Sequence, residues 1–170
     1  MSEMSPEITF MLPPSVVTKV DVARLISEME QLDSDLVTRD AHQKSGVPIT
    51  NQLTISEPLR DFLTMNKLEI GSTAERATLM KQMREFKLKA PVVHITFAAP
   101  ADLESLRKLA AWFREEVHPQ SIIAVGLQPS LIGGAYVRTP NHVHDFSLRA
   151  RLAGHRDIIT SEVEALRGSN

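Results

Sequence analysis

The stretch Gln128-Pro-Ser-Leu-Ile-Gly-Gly-Ala-Tyr-Val-Arg-Thr-Pro-Asn-His-Val-His-Asp-Phe-Ser-Leu-Arg-Ala-Arg-Leu152 changes hydrophobic period partway along, from two residues to 3.6. Ile132, Ala135 and Val137 put apolar residues in an extended segment, and Gly133-Gly134 inside it marks a bulge or a close approach by another backbone. Thr139-Pro140-Asn141 is a turn signal, followed by a short second strand at Val143 and His144. Asp145 can then accept bonds from free backbone N–H groups at the start of a helix. Leu148, Leu152, Ile159, Val163 and Leu166 recur near helical spacing beyond it.

Upstream, Val92, Val93, Ile95 and Phe97 read as a strand after Pro91. Pro100-Ala-Asp102 opens a helix whose apolar face is Leu103, Leu106, Leu109, Ala110, Phe113 and Val117, and His118-Pro119 ends it. Ile122, Ile123, Val125 and Leu127 make a second strand. Residues 91–170 are therefore expected to form a small β-α-β-β-α domain, a sheet with helices on one face.

Residues 1–14 read as a tail or an edge strand, with Ile8, Phe10 and Leu12 alternating before Pro13-Pro14. Residues 15–90 read as a helical region of two to three helices, which makes the whole chain α+β. From about residue 16 to 43, Val22, Leu25, Met29, Leu32 and Leu36 are spaced like a coiled-coil seam. That seam serves either the chain's own core or a partner helix. Lys44-Ser-Gly-Val-Pro48 ends this helix. Ser56 can cap a second helix with Pro58 in its first turn and Leu59, Phe62 and Leu63 inward. After Gly71, Ser72-Thr-Ala-Glu75 is a capping box opening a third helix with Ala77, Met80, Met83 and Phe86 on one face. The pair has an alternative reading as a helix-turn-helix nucleic-acid-binding or regulatory element, with Arg76, Lys81, Arg84, Lys87 and Lys89 as a basic row diluted by Glu75 and Glu85.

The totals narrow the chemistry. The 170 residues are 42% hydrophobic and 24% charged, which are globular values. With no cysteine there is no disulfide, thiolate metal site or cysteine nucleophile. Residues 1–90 carry 11 Lys and Arg against 13 Asp and Glu, and residues 91–170 carry eight of each, so neither half is a footprint for nucleic acid. No apolar run approaches the roughly 18–20 residues of a membrane span. Ile8-Thr-Phe-Met-Leu12 follows Glu3 and Glu7 without a basic leader, unlike a signal peptide.

His142 and His144 lie two apart on a strand, with His155 a helix turn past Leu152, but no acidic partner at ligand spacing accompanies them. No metal and no cofactor are expected. His144, Asp145 and Ser147 adjoin at one strand-to-helix junction and cannot align as a catalytic triad, so Asp145 and Ser147 read as helix capping. Leu131-Ile-Gly-Gly134 lacks the lysine-bearing run of a phosphate loop. Trp112, one residue off the Leu109 and Phe113 face, is expected to be partly exposed.

At Pro129, Leu131, Ile132, Gly133, Gly134, Arg138, Val143, Asp145, Ser147, Leu148, Arg149 and Leu152 the sequence resembles, without a gap, the carboxyl-terminal domain of the delta subunit of F-type ATP synthases. This is the bacterial relative of the oligomycin-sensitivity-conferring protein. Gln128 stands where that family prefers Asp, and Pro140-Asn141 replaces its Gly-Asp turn. The resemblance implies a non-catalytic stator subunit of a proton- or sodium-translocating synthase, peripheral at the cytoplasmic face of the membrane and held there only through the complex. Its implied partners are the b subunit, taken by residues 91–170, and the amino-terminal ends of the alpha subunits, with no nucleic acid. The family's six-helix head-binding bundle is shortened or replaced in residues 15–90. The motif residues are expected to be mainly structural, with an interface role open to Arg138 and Arg149.

Overall fold

The computed structural model describes residues 9–46, 53–139, 141–155, 161 and 164. Among them the fold is α+β, with five helices and one four-stranded sheet. The chain clusters into two compact units, Met1–Pro91 with Glu104–Ile122 and Val92–Leu103 with Ile123–Asn170. No helix among the described residues is long and apolar enough to cross a membrane.

The first unit is helical, built on α1 (Lys19–Ser45), α2 (Glu57–Met65), α3 (Thr73–Lys89) and most of α4 (Leu103–Glu116). Thr18 starts α1: its hydroxyl accepts the Asp21 N–H at 3.3 Å, and the Asp21 carboxylate accepts the Thr18 N–H at 2.8 Å. Gly46, at φ 70°, ends the helix by returning its N–H to the His42 carbonyl. Val22, Leu25, Met29 and Leu32 are buried as a seam, Ile26 widens it, and Leu36 is half-buried. Because α1 packs on α2 and α3, the coiled-coil-like spacing serves the chain's own core.

Ser56 caps α2 as expected. It accepts the Leu59 N–H at 3.3 Å and donates its hydroxyl to Glu28 of α1, while Leu59, Phe62 and Leu63 are buried. The Ser72–Glu75 capping box opens α3 and Met83 and Phe86 face inward as expected, but in the first half of the helix the inward face is shifted by one residue. Arg76, Leu79, Met83 and Phe86 are buried, and Ala77 is exposed. Arg76 is the cause. Its guanidinium bonds Asp33 of α1 at 2.5 Å, the carbonyls of Ile70 and Gly71 at 3.0 and 3.2 Å, and the Thr73 hydroxyl at 3.1 Å. A charged residue so fully paired is accepted in a core that would reject it alone. On the outside of the same helix pair, Arg84 binds Glu30.

Residues 9–13 form no strand, and Ile8 lies outside the described residues. Phe10 and Leu12 are buried within this unit. The Phe10 ring lies 5.2 Å from that of Phe62 and 5.8 Å from that of Phe86. Asn66 fixes the adjoining backbone, accepting the Met11 N–H at 2.7 Å and donating to the Met11 carbonyl at 2.9 Å. Arg114 of α4 holds the next residues through main-chain oxygens, donating to Val16, to Pro13 at 3.2 Å and to Ser121 at 3.2 Å. Burial pushes its guanidinium below the ordinary arginine value. Of the apolar face expected for α4, Ala110 and Phe113 are buried, Leu106 and Leu109 half-buried, and Leu103 and Val117 exposed. Trp112 is exposed, with its ring edge-on to Phe113 at 5.0 Å.

The second unit holds β1 (Val92–Phe97), most of β2 (Ile122–Leu127), β3 (Ala135–Arg138), β4 (Val143–Asp145) and α5 (Leu148–Gly154). The sheet order is β2-β1-β3-β4. β1 and β3 are antiparallel, pairing Ile95 with Val137, and β3 and β4 are antiparallel, pairing Tyr136 with Asp145. The Ile122 N–H donates to the Pro91 carbonyl and the Gln128 N–H to the Phe97 carbonyl. Donor and acceptor advance together, so β2 runs parallel to β1 and needs the α4 crossover. Pro140 of the expected turn, and Ile159, Val163 and Leu166 of the expected last helix, lie outside the described residues.

Asp33→Ala is expected to cost about 3 kcal/mol, because it strands a buried guanidinium, whereas Glu30→Ala should stay within about 0.5 kcal/mol. Urea unfolding followed by circular dichroism separates the two. Lys67, left-handed at φ 51° just past α2, is a site of opposite sign. Lys67→Gly should stabilise by about 0.5–1 kcal/mol in the same assay.

Candidate functional site

The second unit is closed by a pair of glycines. Gly133 and Gly134 both take positive φ, 75° and 89°, which L side chains rarely adopt. Their carbonyls and neighbours join three elements: the Ala98 N–H donates to Gly134 at 3.1 Å, the Leu148 N–H to Gly133 at 3.1 Å, and the Phe146 N–H to Ala135 at 2.9 Å. At Gly134 the crossing is so tight that a Cβ would sit 2.3 Å from the Phe146 carbonyl oxygen and 2.9 Å from Ser147 Cα. Of the two possibilities the sequence left at this pair, the close backbone approach is the one found.

The junction between β4 and α5 is set by Asp145 and Ser147. Asp145 accepts the Ser147 N–H at 2.8 Å. Ser147, 2% exposed, is the cap residue itself, and its hydroxyl accepts the Ala150 N–H at 3.3 Å. The capping role thus falls to Ser147, with Asp145 forming the turn before it. Bonds from the Ser147 hydroxyl and N–H, aided weakly by Arg149, hold the Asp145 carboxyl below its ordinary value. With its hydroxyl so engaged, Ser147 has no nucleophile's geometry. His142 and His144 bring their rings within 6.1 Å, and the His144 ring stacks on Phe146 at 5.9 Å. Among the described residues no three His, Asp or Glu side chains group as a metal site.

The same junction walls a cavity of about 400 Å³. Gln128, Ser130, Leu131 and Ile132 line it from the segment after β2, and Tyr136, Asp145, Ser147 and Arg149 from β3, β4 and the start of α5. The sequence reading missed Tyr136, which faces this site only because the β3–β4 register sets it opposite Asp145. It also missed Phe146, 58% exposed between two fold-setting residues. Of the remaining motif residues, Pro129, Ile132, Arg138, Arg149 and Leu152 are exposed, Leu131 is half-buried, and Leu148 is 45% exposed. The structure therefore divides the motif into a closure made by Gly133, Gly134, Asp145 and Ser147 and a surface made by the rest.

Adjacent substitutions test that division. Gly134→Ala should cost more than about 3 kcal/mol or prevent the sheet unit from folding, since main chain must move. Gly133→Ala, where an added Cβ would meet Leu148 Cβ at an ordinary 3.7 Å, should cost about 1–2 kcal/mol of backbone strain. Asp145 adds a pH signature. Its folded value is depressed, so its contribution is complete above the ordinary carboxylate value and is lost as pH falls through the folded one. Asp145→Asn should flatten the loss of sheet-unit stability below about pH 4, read from amide resonances of residues 92–98 and 133–148.

The family model of the ATP synthase delta (OSCP) subunit matches residues 19–158. The ATP synthase subunit delta of Cupriavidus pinatubonensis (strain JMP 134 / LMG 1197) is 35% identical over 112 residues, covering 63% of this chain and 61% of that protein. The ATP synthase subunit delta of Myxococcus xanthus (strain DK1622) is 26% identical over 107 residues, covering 63% of this chain and 58% of that protein. The match thus spans about three-fifths of the length of either relative.

Proposed function

The chain belongs to the ATP synthase delta (OSCP) subunit family, and from that premise we propose that it is a non-catalytic peripheral-stalk subunit of a proton- or sodium-translocating F-type ATP synthase. In this reading it ties the b subunit to the stationary catalytic head. Residues 91–170 take the b subunit, and residues 15–90 are the head-binding region that meets the alpha-subunit amino termini. The protein is peripheral at the cytoplasmic face of the membrane, held there by the complex.

The observation that carries this reading is the number of exposed apolar side chains on the sheet unit, on β2 and β4 at its opposite edges and on and before α5. Val125, Leu127, Val143, Phe146, Leu148 and Leu152 are each 45–58% exposed. Exposed apolar area of this kind favours a protein interface. A stator must stay bound while torque loads it, which requires broad apolar contact and slow dissociation rather than a reactive group. The α1 seam, by contrast, is already used in the chain's own core. The nucleic-acid alternative fares worse, because Arg76 is consumed by Asp33 and Arg84 by Glu30.

Calorimetric titration against the soluble part of the b subunit and, separately, the alpha amino-terminal peptide tests the proposal. Both should bind, with affinities changing less than about threefold between 50 and 200 mM salt. Binding to neither would remove the mechanism, and a preference for duplex DNA with a loss on the order of 10³ over that salt range would restore the alternative.

A further inference from the structure

We propose that the cavity between the glycine turn and the β4–α5 junction is a receptor for one arginine side chain presented by the stalk partner. That the partner is a stalk subunit rests on the function proposed above; the preference for a guanidinium rests on the cavity itself.

Four features converge on it. Asp145 lines the cavity as a carboxylate, and the Ser147 N–H and hydroxyl together occupy only part of the four or so lone-pair sites such a group offers. Among the described residues no basic side chain lies within ion-pair distance of it. Tyr136, its register partner on β3, lines the same space and is 38% exposed, supplying an aromatic face for a cation. Leu131 and Ile132 provide an apolar wall along which a three-methylene stem can lie. At about 400 Å³ the space is at the small end of binding cavities and suits one long side chain.

The charges select among candidates. An anion would meet the Asp145 carboxylate. A lysine could pair with that carboxylate but lacks the planar fork that donates two parallel bonds while stacking on a ring. Arg149 also lines the cavity and repels an arginine entering alone, so the guest arginine binds best with a carboxylate beside it that answers Arg149. The segment recognised is therefore an arginine with an Asp or Glu next to it in space.

The test is an amide and aromatic NMR titration of the full chain with N-acetyl-arginine amide, and with the neutral citrulline isostere as control. The chain has a single tyrosine, so the Tyr136 ring reports without ambiguity. Saturable shifts at Tyr136, Gly134 and Ser147 in about the millimolar range are expected, at least tenfold weaker with citrulline. Asp145→Asn keeps an acceptor for the Ser147 N–H and should fold, yet lose the arginine response at least tenfold. Tyr136→Leu should weaken it severalfold. Equal shifts with citrulline, or an unchanged response in a folded Asp145→Asn protein, overturn the proposal. The soluble b subunit separates the two readings. Arginine-amide binding without b-subunit binding keeps the cavity and removes the stator. Equal b-subunit affinity for wild type and Asp145→Asn keeps the stator and removes the cavity's role.

Discussion

The sheet unit depends on two stretches of main chain passing closer than any side chain would allow. Gly134 crosses the Phe146–Ser147 backbone with no room for a Cβ, and the bonds on either side of that crossing join the loop after β1, the start of β3 and the first turn of α5. Asp145 and Ser147 then fix the direction in which α5 leaves. With this closure in place, Ile132, Arg149 and Leu152 are freed from structural duty and lie at the surface, where they and the walls of the cavity are available to another protein. The motif is a fold device that leaves part of itself on the surface.

The helical unit solves a different problem with buried charge. Arg76 is buried and Arg114 half-buried in it, and both are engaged by protein oxygens. One answers a carboxylate and two carbonyls, the other a ring of main-chain oxygens. Removing either partner set would cost far more than the bonds themselves are worth, because the desolvated charge would remain. Arg114 also explains how residues 12–16, which carry no regular structure, are held: their carbonyls have a fixed cation to point at.

Elements announced by local chemistry were legible in the sequence. Ser56, Ser72 with Glu75, and the runs of β-branched residues in β1 and β2 specify their own helices and strands through caps and composition alone. The glycine pair was legible as either a bulge or a close approach, and only the Phe146–Ser147 backbone crossing Gly134 decides between them. Legibility failed where the answer depended on distant partners. Arg76 reads as a surface cation until Asp33, 43 residues earlier, is beside it. Phe10 reads as part of a tail until Phe62 and Phe86 surround it. Tyr136 acquires a role only through the register that brings Asp145 opposite, a relation that no single strand records.

On this account the molecule works by holding on, with the surface arranged around the β3–β4–α5 junction as its grip. Hydrogen exchange of the chain alone and saturated with the soluble part of the b subunit measures that most directly. Protection gained in residues 122–155, centred on β4 and the first turn of α5, is the expected result. Protection confined to α1, α2 and α3, with the junction unchanged, would contradict it.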